Sequence, residues 1–298
     1  MSHEHIWSAA AAHRGRLAAV FGITVTLLAV QVVGALASGS LALLADAGHL
    51  LADAAGIGLA LVATLLARRP ATPERTFGYL RLEVLAAVVN AVLLLLVGAY
   101  VLVEAMRRLA DPPEVASGLM AAFGVIALAG NGVSLWLLRR GQADSLNLRG
   151  AYLEVASDLL TALAVVAAAV VIAVTGFSRA DPIASALIGL LILPRTWRLL
   201  REAVDVLLEA TPKGVDLNEV RRHLIEAPGV TDVHDLHAWT ITSGLPVISA
   251  HLVLADGATG PAVLDHVSRC LAGHFDIEHS TFQVELPEHR SHEGATHQ

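Results

Sequence analysis

His49 and Asp53 stand four residues apart inside an apolar run, and Glu154 and Asp158 repeat that spacing about a hundred residues further on. Of the 14 histidines, His49 alone lies between Arg14 and Leu208. Ionisable side chains in such a stretch are costly unless they are paired or bound to something. Four residues of α-helix advance about 400°, so each pair points one way from its own helix. Two facing helices then offer one imidazole nitrogen and three carboxylates. That donor set suits a borderline divalent ion such as Zn²⁺, and the carboxylates offset its charge and take protons when it leaves. Single acids at Asp46, Glu83 and Glu104 fit a structural role, as helix–helix hydrogen-bond partners or cavity-lining groups, as well as they fit a functional one. Gln31, Asn90 and Asn131 read as polar ties between spans.

The elements that must hold these residues are membrane helices. The chain has 298 residues, 55% hydrophobic and 16% charged, with mean hydropathy +0.63; a soluble domain carries about 25% charged residues. Apolar runs of spanning length cover about residues 17–37, 41–67, 82–106, 115–138, 150–175 and 181–203. The first follows basic residues as a signal peptide would, but its length and the spans behind it mark it as retained. Arg14, Arg16, Arg68, Arg69, Arg75, Arg81, Arg139, Arg140, Arg149, Arg195, Arg198 and Arg201 fall on one side, against Arg107, Arg108 and Arg179 on the other. Both termini are therefore expected in the cytoplasm. The formal charge of −7 comes with no basic stripe, so nucleic acid is not an expected partner. The single cysteine, Cys270, permits no intrachain disulfide.

Past Leu208 the apolar runs shorten. Thr211-Pro212-Lys213-Gly214 reads as a linker. Residues 215–227 show helical spacing through Leu217, Val220, Leu224 and Ile225, stopped by Pro228-Gly229. Two strand-like runs, VTDVHDLHAWTI and LPVISAHLVL, flank the hairpin signal Thr242-Ser243-Gly244. A second helix opens at Pro261 with Leu264, Val267 and Leu271 inward, and residues 277–286 form a third strand. The order αββαβ predicts a small two-layer α+β domain. Along a strand side chains alternate, so His234 and His237 face opposite sides unless a bulge intervenes. His223, His266 and His274 read as solvated helix residues. The expected organisation is a cytoplasmic tail over 1–16, an all-α six-span transport domain over 17–208, a cytoplasmic metal-binding and dimerisation domain over 209–288, and a disordered His-bearing tail over 289–298.

Four runs in the membrane part, SLALLADAGHLLAD, TFGYLRLEVLAAVVNA, NGVSLWLLRRG and LNLRGAYLEVASD, resemble the cation diffusion facilitator family, and its cobalt-zinc-cadmium efflux branch in particular. HDLHAW, SAHL and HSTFQVE extend the resemblance through the soluble part. It implies six transmembrane helices, a ferredoxin-like cytoplasmic domain, a homodimer, and metal export driven by inward proton flow. The family's transport site falls on His49, Asp53, Glu154 and Asp158. By the same resemblance His234, His251 and Glu285 form a cytoplasmic metal site, with His237, His279 and Asp46 as secondary candidates. Two departures stand out. Many zinc members have His where this chain has Glu154, which makes the site harder and more tolerant of other divalent ions. Members often have His at the Leu80 position and a His-rich loop between spans four and five; the loop here, RRGQADSLNLRG, has none.

The expected function is Zn²⁺/H⁺ antiport out of the cytoplasm across the cell inner membrane by alternating access, extending to Cd²⁺ or Co²⁺. Zinc would be both substrate and regulatory ligand. A membrane metalloenzyme is a poorer reading, because no HExxH or comparable general-base motif occurs in any span. A membrane metal sensor that does not transport would leave the intramembrane quartet without a purpose.

Overall fold

The computed structural model of the chain describes residues 3–67, 69–139, 146–277 and 279–289. The helices α1 (His3–Ser38), α2 (Leu41–Ala67), α3 (Leu82–Ala110), α4 (Ser117–Leu138), α5 (Leu146–Thr175) and α6 (Ala180–Leu207) come first. They are followed by α7 (Leu217–Ile225), β1 (Val230–Thr240), β2 (Pro246–Leu254), α8 (Gly260–Phe275) and β3 (His279–Glu285). Helix α1 begins at His3, so most of the segment expected as an N-terminal tail continues the first helix. The expected C-terminal tail beyond His289, with His292 and His297, and loop residues 140–145 lie outside the described residues.

The chain divides into two compact units, Met1–Leu61 with Val89–Leu200, and Val62–Val88 with Arg201–Gln298. Among the described residues, α1 to α6 each contain a stretch long and apolar enough to cross a membrane. In the first unit the interior is built from small side chains: Ala35, Ala42, Ala45, Ala168, Ala169, Ala180 and Ala184 gather around Leu43, Met120, Val165 and Ile188. Large apolar groups such as Leu36, Leu96, Leu160, Val174 and Leu191 point outward. This inverted arrangement suits lipid, where burying a leucine brings no hydrophobic gain and close backbone approach supplies the packing energy. Helices α3 and α6 show that reciprocity. A Cβ on Gly98 would come within 2.7 Å of Leu193, and one on Gly189 within 3.1 Å of Leu102. Gly39, with φ +73°, turns the chain between α1 and α2 where a side chain would be strained.

In the second unit β2 is the central strand, antiparallel to β1 and parallel to β3. Ile248, Ala250 and Leu252 of β2 share a core with Val220 and Leu224 of α7 and Val263, Val267 and Leu271 of α8. Val263 rather than the expected Leu264 completes the α8 stripe, since 263, 267 and 271 keep strict i, i+4 spacing. The expected αββαβ order is present, Asp216 caps α7 by accepting from the Asn218 N–H, and Gly244 takes φ +76° in the hairpin. The α2–α3 connection packs within this unit: Arg81 pairs with Glu209 at 2.7 Å, and Thr242 donates to Glu83.

Candidate metal centres

The two i, i+4 pairs predicted from spacing converge. His49 and Asp53 on α2 face Glu154 and Asp158 on α5, and His49 Nε2 lies 3.4 Å from Asp158 Oδ1, 3.6 Å from Asp53 Oδ2 and 3.9 Å from Glu154 Oε1. One ligand atom each from His49, Asp53 and Glu154 lies within 4.8 Å of the others, the spread that a single cation spans. The quartet has a deep half and an open half: the side chains of His49 and Asp158 are 7% and 4% exposed, those of Asp53 and Glu154 26% and 29%. His49 Nδ1 has no hydrogen-bond partner among the described residues, and the one group near Asp158 Oδ1 is the His49 ring itself.

Asp46, one turn before His49, is held by other groups. Its carboxylate accepts from Gln31 Nε2 of α1 and sits 2.8 Å from Thr161 Oγ1 of α5. The Thr161 hydroxyl also lies 2.9 Å from the Asp158 carbonyl oxygen, so Asp46 props the α5 turn that carries a quartet member. Asp46 is thus a helix–helix tie, and Gln31 is its partner. Glu104 pairs with Arg108 at 3.0 Å along α3.

Arg195 was counted above among the basic residues that set topology. It also pairs with the quartet: its Nη2 contacts Glu154 Oε2, leaving Oε1 toward His49. Pro194 immediately before it removes one backbone donor from the interior of α6. Asp181, buried in the first turn of the same helix, accepts from the N–H groups of Leu41 and Ala42 at 2.8 and 3.1 Å and from Ser40 Oγ at 2.5 Å. Neither role was legible in spacing, because both are pairings between residues remote in sequence.

The second cluster lies on the sheet face opposite α7 and α8. His251 Nδ1 lies 2.8 Å from Glu285 Oε1, His234 Nε2 lies 3.6 Å from Glu285 Oε2, and the two imidazole centroids are 5.0 Å apart. Ligand atoms of the three fall within 4.8 Å of one another. The bulge that would bring His234 and His237 to one side is present. A register shift between them sets His234 opposite His251 but His237 opposite Ser249, three steps on β1 against two on β2. The extra residue, Asp235, takes φ +47°, and its carboxylate reaches His237 Nε2 at 2.8 Å and His251 Nε2 at 3.7 Å. The bulge brings His237 onto the face of His234. Aspartate is among the few residues that tolerate this left-handed conformation, a signal visible in the sequence only in retrospect. His279 is not in the cluster; its ring packs edge-on against Phe77, centroids 5.9 Å apart. Nor is His223 simply solvated: its ring contacts those of His274 and Phe275.

The model of the cation efflux transmembrane domain matches residues 17–208, and that of the cation efflux protein cytoplasmic domain matches 212–287. The chain belongs to the cation efflux family, the cation diffusion facilitators, and is a multi-pass membrane protein. It is similar to the metal cation efflux system protein CzcD of Cupriavidus metallidurans, 43% identical over 99% of this chain and 93% of that one. It is likewise similar to the zinc transporter ZitB of Escherichia coli, 43% identical over 91% of this chain and 87% of that one. The cadmium, cobalt and zinc/H(+)-K(+) antiporter of Bacillus velezensis is 37% identical over 97% and 93%. The solved metal-bound C-terminal domain of the CzcD transporter from Cupriavidus metallidurans is 41% identical, spanning 24% of this chain and all of that one, with a TM-score of 0.24.

Proposed function

We propose that the protein exports divalent metal cations, Zn²⁺ foremost and Cd²⁺ or Co²⁺ beside it, from the cytoplasm in exchange for protons. Its place is the cell inner membrane, with both termini cytoplasmic and two copies forming a homodimer. The observation that carries this reading is the convergence of His49, Asp53, Glu154 and Asp158 in the interior of spanning helices. All four groups must shed protons to ligate a cation, so ion and proton compete for the same atoms and antiport follows from the chemistry of the site. The more exposed pair, Asp53 and Glu154, stands nearer Ala67 and Leu146, the helix ends assigned to the cytoplasm. The ion therefore enters from that side, meets Asp53 and Glu154 first and settles against His49 and Asp158. Rearrangement of the helices then opens the deep half outward, where protons replace the ion.

In the soluble unit His234, His251 and Glu285 offer two imidazoles and a carboxylate, a donor set that fits Zn²⁺ as a regulatory ligand. Metal there affects transport by biasing the equilibrium between conformations.

The test is flux in proteoliposomes containing the full-length protein. Wild type, driven by an imposed proton gradient, accumulates Zn²⁺ and alkalinises the compartment that gains the metal, while Asp158→Ala inserts normally and does neither. A membrane metal sensor or metalloenzyme gives no flux from the wild type, and near-normal flux from Asp158→Ala overturns the site assignment.

A further inference from the structure

Within the quartet three carboxylates surround one imidazole, so with neutral His49 the ligands carry three negative charges, one more than a divalent ion cancels. Arg195 supplies the difference. Its guanidinium contacts Glu154 Oε2, while Oε1 of the same carboxylate stays 3.9 Å from His49 Nε2. Glu154 therefore has one oxygen for the arginine and one for the ion. Three carboxylates and one guanidinium sum to two negative charges, the complement of a divalent cation. When the ion is gone, a buried excess of negative charge is expensive, and a fixed cation already at hand lowers that cost. Arg195 is suited to the task because guanidinium stays protonated and grips a carboxylate with directed N–H donors. It also follows Pro194, where α6 lacks one backbone hydrogen bond and can bend at less cost.

We propose that Arg195 is a resident counter-cation of the transport site: it holds Glu154 in the empty site, shares it with the bound ion, and by repelling that ion keeps binding weak enough for release. The inference rests on the reading of the quartet as the transport site. Arg195 touches a ligand rather than the ion, so it is a positioning and tuning residue. Its removal has an unusual sign. A lost structural contact would weaken Zn²⁺ binding, whereas a lost positive charge beside the ion tightens it.

The experiment measures Zn²⁺ affinity of the full-length protein in detergent by chelator competition, with His234→Ala and His251→Ala present throughout so that only the quartet reports, and flux in proteoliposomes, for Arg195→Gln, Arg195→Met and Arg195→Lys. A charge several ångströms from the ion in a partly screened site is worth about ten-fold in Kd. The two uncharged variants are expected to bind Zn²⁺ about ten-fold tighter, with lower KM and lower maximal flux because the ion leaves slowly. Arg195→Lys keeps the charge and should stay close to wild type in both. Unchanged or weaker binding in folded Arg195→Gln or Arg195→Met overturns the proposal, as does an Arg195→Lys that behaves like Arg195→Met. Asp158→Ala in the same assay separates the two layers. If it loses binding while the arginine variants are unaltered, only the role of Arg195 falls; if it binds normally, the quartet reading falls and takes this one with it.

Discussion

The Asp181 carboxylate accepts the backbone N–H of Leu41 at 2.8 Å, so the first turn of α6 caps the first turn of α2 across 140 residues of sequence. The N–H of Ala42 and the Ser40 hydroxyl converge on the same carboxylate, which is wholly buried. The start of a helix leaves backbone donors without partners and carries partial positive charge, and a carboxylate answers both. Helix α2 carries His49 and Asp53, and α6 carries Arg195. One side chain thus ties the helix that holds the imidazole to the helix that holds the guanidinium.

Replacing Asp181 with alanine strands two buried N–H groups and a hydroxyl, at about 1–3 kcal/mol for each group left without a partner. Asp181→Ala is expected to lower the thermal unfolding midpoint in detergent and to reduce flux, with Asp181→Asn between it and wild type. An unchanged midpoint in Asp181→Ala would show that the cap contributes nothing to holding α2.

At Glu154, imidazole in place of carboxylate shifts preference toward borderline ions. Glu154→His is expected to raise the ratio of Zn²⁺ to Mn²⁺ flux in side-by-side vesicle assays. A flat ratio would mean that selectivity is set by residues outside the quartet.

The soluble cluster lies in a different unit from the quartet, so the regulatory role proposed for it acts through a conformational equilibrium. In the full-length protein, His234→Ala with His251→Ala is expected to remove one class of Zn²⁺ sites in equilibrium dialysis. Flux at low metal should fall by several-fold, while flux at saturating metal stays near wild type. Total loss of flux at every metal concentration, with the membrane helices intact, would make the cluster an obligatory part of the ion path.

Asp235 separates backbone from side chain. Asp235→Gly keeps the left-handed bulge and loses the contacts to His237 and His251, whereas Asp235→Ala loses the same contacts and holds the left-handed conformation at about 1 kcal/mol of strain. The alanine variant is expected to melt earlier than the glycine variant, and both should bind metal in the soluble cluster more weakly than wild type. Equal melting of the two would argue that the bulge relaxes without Asp235.

The quartet was legible because i, i+4 spacing is a local property of a helix, and a lone histidine among two hundred residues of apolar sequence is conspicuous. The helices and the αββαβ order were legible for the same reason: hydropathy and period are local. What spacing could not reveal were the long-range pairings, Glu154 with Arg195, Asp46 with Gln31 and Thr161, and Asp181 with the start of α2. Arg195 looked like one more basic residue near a span end because a charge in sequence does not announce its partner. The face of His237 stayed open because strict alternation assumes a regular ladder, and whether one left-handed aspartate breaks it is not a matter of spacing.

The bulge also gives the soluble cluster two mechanical halves. His251 belongs to β2, which is laddered on both sides, to His234 in one direction and Gln283 in the other. His234, Asp235 and His237 belong to β1, an outer strand whose ladder is interrupted where they sit. One wall is therefore stiff and the other compliant: a guest of slightly different radius is met by adjustment of β1, with β2 as the fixed reference. Amide hydrogen exchange is expected to be faster at Asp235 than at His251, and the gap to narrow on addition of Zn²⁺.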